Sequence, residues 1–214
     1  SVCVDVSAKL GDRQGACGVM NEVIKLVETT ARSSAGDVTF LFDVLGLCVD
    51  HAVTIGASGE SAGIINRVVS LVEEWMDESS ARYWTPFYRF RALAKCARGY
   101  ARLGHEATGM PILSRILDHT PQTSGLDRID LLREIVHCLS EVGGAQRLAL
   151  VDRVLDAFLT ERSIGLGDAG TELLGMLLDE VVSPASRVRA EYARYLGAEE
   201  RNIRERVANE RIVT

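Results

Sequence analysis

Apolar residues along most of the chain recur at positions i, i+3, i+4 and i+7, which is the spacing of one face of an α-helix. The alternating pattern of a half-buried β-strand is weak. Phe90, Leu93 and Ala97 show the helical spacing clearly, and Pro86 suits the first helical position, where its missing N–H costs nothing. The pattern therefore predicts an all-α protein.

Three segments of the chain align with one another without gaps. They read LGDRQGACGVMNEVIKLVE (10–28), IGASGESAGIINRVVSLVE (55–73) and LGHEATGMPILSRILDHTP (103–121), at offsets of 45 and 48 residues. Each has an aliphatic residue and Gly at its start, a small polar residue ten positions after that Gly, and a cysteine eight positions before it. A weaker fourth copy spans 132–159. Self-similarity of this kind is typical of repeat proteins.

Each copy is expected to form helix A, a turn that contains glycine, and helix B. Gly104 is the predicted stop of the third helix A. Because Gly18, Gly63 and Pro111 occupy equivalent places early in helix B, we expect helix B to start late, after a lengthened turn. Two-helix units stacked in a row form an α-solenoid, and this is the predicted architecture.

The third unit resembles a tetratricopeptide repeat. In ALAKCARGYARLG, Tyr100 stands four residues before Gly104, the small residue Gly109 follows five positions later, and Pro121 closes the unit. The resemblance implies a right-handed superhelix and a tendency to bind proteins. The other units fit only loosely, because their spacing exceeds the 34 residues of that family, and a HEAT-like repeat is the alternative.

The repeat predicts that the chain consists of a repeat domain followed by a separate C-terminal helix. Residues 1–184 would form a helical-repeat domain of about four to five units, and residues 185–214 would form a polar helix that caps it. The alternative for that last helix is a seam for a dimer or a neighbouring domain. Residues 1–10 match only the second half of a helix A, so we expect the chain to be part of a longer polypeptide.

Composition narrows the classes of function. The net charge of −6 argues against a dedicated nucleic-acid binder. The five cysteines are odd in number and lack CxxC pairs, which favours free thiols in a reducing, cytoplasmic compartment. No apolar run reaches the length of a membrane span. Only three of the 24 basic residues are lysines, a bias that suggests a bacterial source.

No catalytic motif is complete, so we expect neither an enzyme nor a metal or cofactor site. GASGE (56–60) lacks the last Gly of a nucleophile elbow, and the dipeptide HE (105–106) has no second His four residues on. GLGDAG (165–170) satisfies GxGxxG but lacks a preceding strand, and we interpret it as a loop. The widely spaced cysteines are interpreted as core residues.

A row of basic residues in the third helix A is the main candidate for binding. Arg91, Lys95, Arg98 and Arg102 share one helical face. If the tetratricopeptide resemblance holds, that face lines a concave groove, with His137 on the next unit and Asp43 and Asp50 on the previous one. Arginines there could bind the carboxylates of an acidic peptide. The predicted binding residues are Arg91, Arg98, Arg102, His137, Tyr83, Trp84 and Tyr88.

Three classes of function follow, in order of preference. The first is a non-catalytic scaffold that binds a protein or peptide segment. The second is a regulatory or sensor domain of a multidomain enzyme or signalling protein. The third is an enzyme or a nucleic-acid-binding repeat, for which the chain offers no convergent titratable set and no continuous basic strip.

In the segment ARYWTPFYRF (81–90), Phe87 and Phe90 are assigned to packing, whereas exposed Tyr and Trp are typical interface anchors.

Overall fold

The fold is known from a computed structural model, and every regular element that it describes is helical. The described residues are 12–33, 39–56, 59–77, 86–120, 125–139, 144–160 and 167–179, with the single residues 141 and 197. Within these ranges there is no β-strand. The predicted all-α class is therefore confirmed.

The chain divides into two compact units, residues 1–123 and 124–214. The helices of the first unit are α1 (Arg13–Ser33), α2 (Phe40–Ile55), α3 (Gly59–Asp77), α4 (Pro86–Arg102) and α5 (Glu106–His119). Those of the second unit are α6 (Gly125–Leu139), α7 (Gly144–Thr160) and α8 (Gly167–Asp179). The predicted start of the third helix A at Pro86 is confirmed.

In the first unit the helices pack on their chain neighbours, and some of them also pack on the equivalent helix of the next copy. Helix α2 packs against α1, α3 and α4, and helix α4 packs against α2, α3 and α5. Helices α1 and α3, the first two B helices, also touch each other. The core between them is formed by completely buried aliphatic side chains such as Ile24, Leu45, Ile65, Leu93 and Ile116.

The second unit is a three-helix cluster. Helix α6 packs against both α7 and α8, and these two also touch each other. Leu132, Leu155 and Leu174, one from each helix, are fully buried, as is the large ring of Phe158. Burial of these apolar faces removes them from water, which is the main favourable term in folding.

Gly104 ends helix α4 as the sequence predicts. Its φ angle of 78° lies in the left-handed region, where glycine has no Cβ penalty. The N–H of Gly104 donates to the carbonyl of Ala101 (3.0 Å), and the N–H of His105 donates to the carbonyl of Tyr100 (2.8 Å). These two bonds form a Schellman motif, which satisfies carbonyls at the end of the helix.

The B helices begin early, so the expectation of a late start was wrong. Helices α1, α3 and α5 begin two or three residues after the turn glycines and contain Gly18, Gly63 and Pro111. All three residues are exposed. A helix loses only about 1 kcal/mol for a glycine, and packing of its opposite face outweighs that cost. Pro111 keeps its ring on the solvent side, where water can bind the carbonyl that it leaves unpaired.

The segment GLGDAG (165–170) was interpreted as a loop, and this was wrong for its last four residues. Helix α8 begins at Gly167, so residues 167–170 are helical. The preceding described element is helix α7, which gives the segment no βαβ context. The glycine pattern therefore marks the start of a helix that packs on α6 and α7.

The core assignment of the cysteines is confirmed where the structure describes them. Cys17, Cys48, Cys96 and Cys138 are all buried free thiols. Cys48 and Cys96 stand at equivalent positions of the second and third A helices, as the alignment predicts. Cys3, the N-terminal half-repeat and the segment 185–214 lie outside the described residues, Gly197 excepted.

Candidate protein-binding surface

Helices α2 and α4 lie side by side and run in the same direction. Asp43 pairs with Arg91 (Oδ1 to Nη1, 3.9 Å), and Asp50 pairs with Lys95 (Oδ2 to Nζ, 3.7 Å). Contacts therefore advance in the same order along both helices. Asp43 and Arg91 are 48 residues apart, which is the offset between the second and third copies. Equivalent positions of the two A helices are thus neighbours in space.

Two glycines allow this close approach. A Cβ atom at Gly46 would lie 2.8 Å from Cδ of Lys95, so the lysine stem crosses α2 where no side chain stands. A Cβ atom at Gly99 would lie 2.8 Å from a methyl group of Val49 and 2.9 Å from one of Ile65. At Gly99, helix α4 therefore packs so closely on α2 and α3 that a larger residue would have to displace these methyl groups.

Helix α4 exposes one narrow strip, and the predicted basic row forms it. From Phe87 to Arg102 every side chain is buried except Tyr88, Arg91, Lys95, Arg98 and Arg102. Arg102 is exposed and the other four are half-buried. The prediction that these basic residues share one face is confirmed, because the rest of the helix circumference is buried and packs on α2, α3 and α5.

Arg98 differs from its neighbours in the strip. Arg91 and Lys95 are paired with the carboxylates of helix α2. The Nε atom of Arg98 is buried and lacks a hydrogen-bond partner among the described residues. A buried donor without an acceptor costs about 1–3 kcal/mol, and more where the group is charged. Arg98 is therefore not neutralised by the carboxylates of helix α2 in the way that Arg91 and Lys95 are.

The neighbouring strip of helix α2 carries two exposed apolar side chains. Phe40 is 57% exposed and Leu47 is 51% exposed. They alternate along the helix with the exposed carboxylates Asp43 and Asp50. The face formed by the exposed strips of α2 and α4 is called the α2–α4 face below. It combines apolar surface with four cationic and two anionic side chains.

Sequence reasoning did not single out Phe40 and Leu47. Helix α2 reads FLFDVLGLCVDHAVTI and is apolar around most of its circumference, so periodicity does not tell which apolar positions face outward. The offset of 48 could have found them. It aligns Phe40 with Tyr88 and Leu47 with Lys95, which both lie on the exposed strip of α4.

The remaining predicted site residues have different locations. Tyr88 is half-buried and packs edge-on against the buried ring of Phe87 (5.2 Å between centroids). Phe90 is buried and stacks on His119, so packing roles for Phe87 and Phe90 are confirmed. Tyr83 and Trp84 lie outside the described residues. His137 is exposed on helix α6 of the second unit, and its role beside the arginines stays a prediction.

The B helices carry a recurring ion pair on a different surface. Arg67 of α3 pairs with Glu28 of α1 (3.7 Å), and Arg115 of α5 pairs with Glu73 of α3. The two arginines are equivalent in the alignment, and so are the two glutamates. The contact between equivalent side chains therefore repeats from one copy to the next, as it would if the copies were stacked in register.

Burial keeps two cysteine thiols and one tyrosine phenol of these helices in their protonated, neutral forms. Burial raises the pKa of the Cys48 thiol to about 11 and also raises that of Cys96. Burial raises the pKa of Tyr100 to about 12, and its hydroxyl is hydrogen-bonded to Oδ1 of Asn66. A thiol with a raised pKa is a poor nucleophile, because the thiolate is the reactive form.

Comparison with known proteins does not assign the chain to a family. No protein-family model matches the sequence, and no curated protein matches it either. In the part of the chain that the structure describes, no three His, Cys, Asp or Glu side chains are grouped as metal ligands. None of the described helices combines the length and the apolar character needed to cross a membrane.

Proposed function

We propose that the chain is a non-catalytic interaction scaffold, an α-solenoid of two-helix units that binds a protein or peptide segment on the α2–α4 face. The parallel contact of equivalent helices supports stacking of the copies, since Asp43–Arg91 joins positions one repeat apart. The recurring pairs Arg67–Glu28 and Arg115–Glu73 support the same arrangement. A stack of this kind leaves an extended surface open to a partner.

The state of Arg98 is the observation that carries the proposal. The α2–α4 face holds four cationic side chains, and the two carboxylates of α2 pair with Arg91 and Lys95. Arg98 keeps a buried Nε atom without an acceptor among the described residues. The side chain as a whole is half-buried, so a carboxylate from a partner would bind its terminal guanidinium nitrogens through charge-assisted hydrogen bonds. The proposed ligand is therefore an acidic segment.

A displayed library of random 16-residue peptides tests this function. We expect selection on the full chain to enrich peptides that contain Asp or Glu, and Arg98→Glu to abolish their binding. Arg98→Gln keeps a polar side chain but removes the charge and the guanidinium donors, and it should weaken binding by at least tenfold, since a hydrogen bond to a charged group contributes about 1.5–3 kcal/mol.

Arg13→Glu is the matched control for the charge reversal. Arg13 is exposed at the start of helix α1, which does not belong to the α2–α4 face. This variant makes the same change in net charge, so binding should stay unchanged. Equal affinity of the wild type and Arg98→Glu for the selected peptides would reject the proposed site.

A further inference from the structure

The α2–α4 face carries two exposed apolar side chains, Phe40 and Leu47, in addition to its charged residues. Four large apolar side chains are exposed in the described part of the chain, and two of them, Phe40 and Leu47, lie on this face. They are seven residues apart on one helix. Two helical turns separate such residues by about 10.5 Å along the axis.

The register of the two helices places these side chains relative to Arg98. Asp43 lies beside Arg91, the stem of Lys95 crosses Gly46, and Gly99 touches Val49. Position 98 of α4 is therefore level with position 50 of α2. That level lies three residues, or about 4.5 Å, beyond Leu47 along the shared direction of the helices.

We infer that the face selects a protein segment with two apolar side chains about 10 Å apart and a carboxylate about 5 Å beyond the second one. This inference rests on the proposed function and specifies its ligand. The apolar pair covers Phe40 and Leu47, and the carboxylate pairs with Arg98. Asp50 pairs with Lys95, and the terminal nitrogens of the half-buried Arg98 side chain are the part of it that a partner's carboxylate would bind. Charge complementarity thus fixes the direction of the segment along the face.

The spacing of Phe40, Leu47 and Arg98 predicts two alternative sequence patterns for the bound segment. A segment in the extended polyproline II conformation rises about 3.1 Å per residue with three residues per turn, so two apolar residues three positions apart would lie about 9 Å apart on the same side. A helical segment would place them seven positions apart. In both cases Asp or Glu follows on the same side of the pair. Peptides enriched from the random 16-residue library should show one of these patterns.

The decisive measurement is fluorescence anisotropy with a fluorescein-labelled synthetic peptide of the enriched sequence. We expect Phe40→Ser and Leu47→Ser each to weaken binding about tenfold, because each removes an apolar contact that the complex would bury. Leu26→Ser is the matched control. Leu26 is 67% exposed on helix α1, so the same change there should leave affinity unchanged. Moving one apolar residue of the peptide by one position should also weaken binding.

The possible results separate this inference from the proposed function. Peptides that respond to Arg98→Gln but not to Phe40→Ser or Leu47→Ser would overturn the inference and leave the function. Failure of the library to yield any binder would overturn both. A dimer in sedimentation equilibrium that Leu47→Ser dissociates would also overturn the inference, since the occupant would be a second copy. Circular dichroism melts within a few degrees of wild type would show that the variants fold.

Discussion

Gly109→Ala tests the closest backbone approach between helices α4 and α5. A Cβ atom at position 109 would lie 2.7 Å from the carbonyl oxygen of Ala97 and 3.4 Å from its carbonyl carbon. These are backbone atoms within a helix, so a rotamer change cannot relieve the contact. The two helices must separate, and overpacking of this kind costs about 1–3 kcal/mol.

The same substitution also has a favourable effect, which sets the expected net value. Alanine in a helix interior is about 1 kcal/mol better than glycine, because glycine loses more conformational freedom. The net loss for Gly109→Ala should then be about 1 kcal/mol, within a range of about 0–2 kcal/mol. Gly63→Ala is the matched control, since Gly63 is exposed in helix α3 with no atom near its Cβ position. That variant should gain about 0.5–1 kcal/mol.

Urea unfolding followed by tryptophan fluorescence measures both variants. The two tryptophans, Trp75 and Trp84, belong to the first unit, so the signal reports the unit that contains Gly109. A difference of about 2 kcal/mol between the variants corresponds to about 1 M urea between their midpoints, for a slope near 2 kcal/mol per molar. If Gly109→Ala unfolds at the same urea concentration as Gly63→Ala, the close approach does not limit the packing of α4 on α5.

Two further predictions concern the ion pairs and the buried phenol. Glu73→Gln removes the negative charge that pairs with Arg115 and should cost less than 1 kcal/mol at low salt, because both side chains are about 40% exposed; a loss that persists in 1 M NaCl would contradict an electrostatic origin. Tyr100 has a folded pKa of about 12 against about 10 when unfolded, so burial favours the neutral phenol. Stability should therefore fall between pH 10 and 12, by up to about 1.4 kcal/mol per pH unit. Tyr100→Phe should remove that part of the slope in urea titrations, and an unchanged slope would refute the assignment.

The repeat alignment was the most informative product of the sequence. It placed Cys48 and Cys96 at equivalent buried positions, and its offset of 48 relates Asp43 to Arg91, which the structure brings together. Periodicity also identified the single exposed strip of helix α4. These successes share a cause, since similar local patterns form similar helices whose exposed and buried faces recur from copy to copy.

Local propensity was a poor guide to the limits of the B helices. Gly18 and Gly63 weaken a helix by about 1 kcal/mol each, and the sequence alone favours a turn there. The helices nevertheless continue through both positions, because their opposite faces bury residues such as Met20, Ile64 and Ile65 in the core. Each such burial contributes about 1.5–3 kcal/mol, which exceeds the glycine cost.

The sequence by itself determined that the chain is helical, where its copies begin and which face of α4 is polar. Tertiary structure alone decided which members of that face are neutralised and which apolar residues of α2 reach solvent. Arg91, Lys95 and Arg98 are equivalent by periodicity, yet only the first two meet carboxylates of α2. The reason is physical: a helical period is a property of one segment, whereas burial and charge pairing depend on the neighbour that packs beside it.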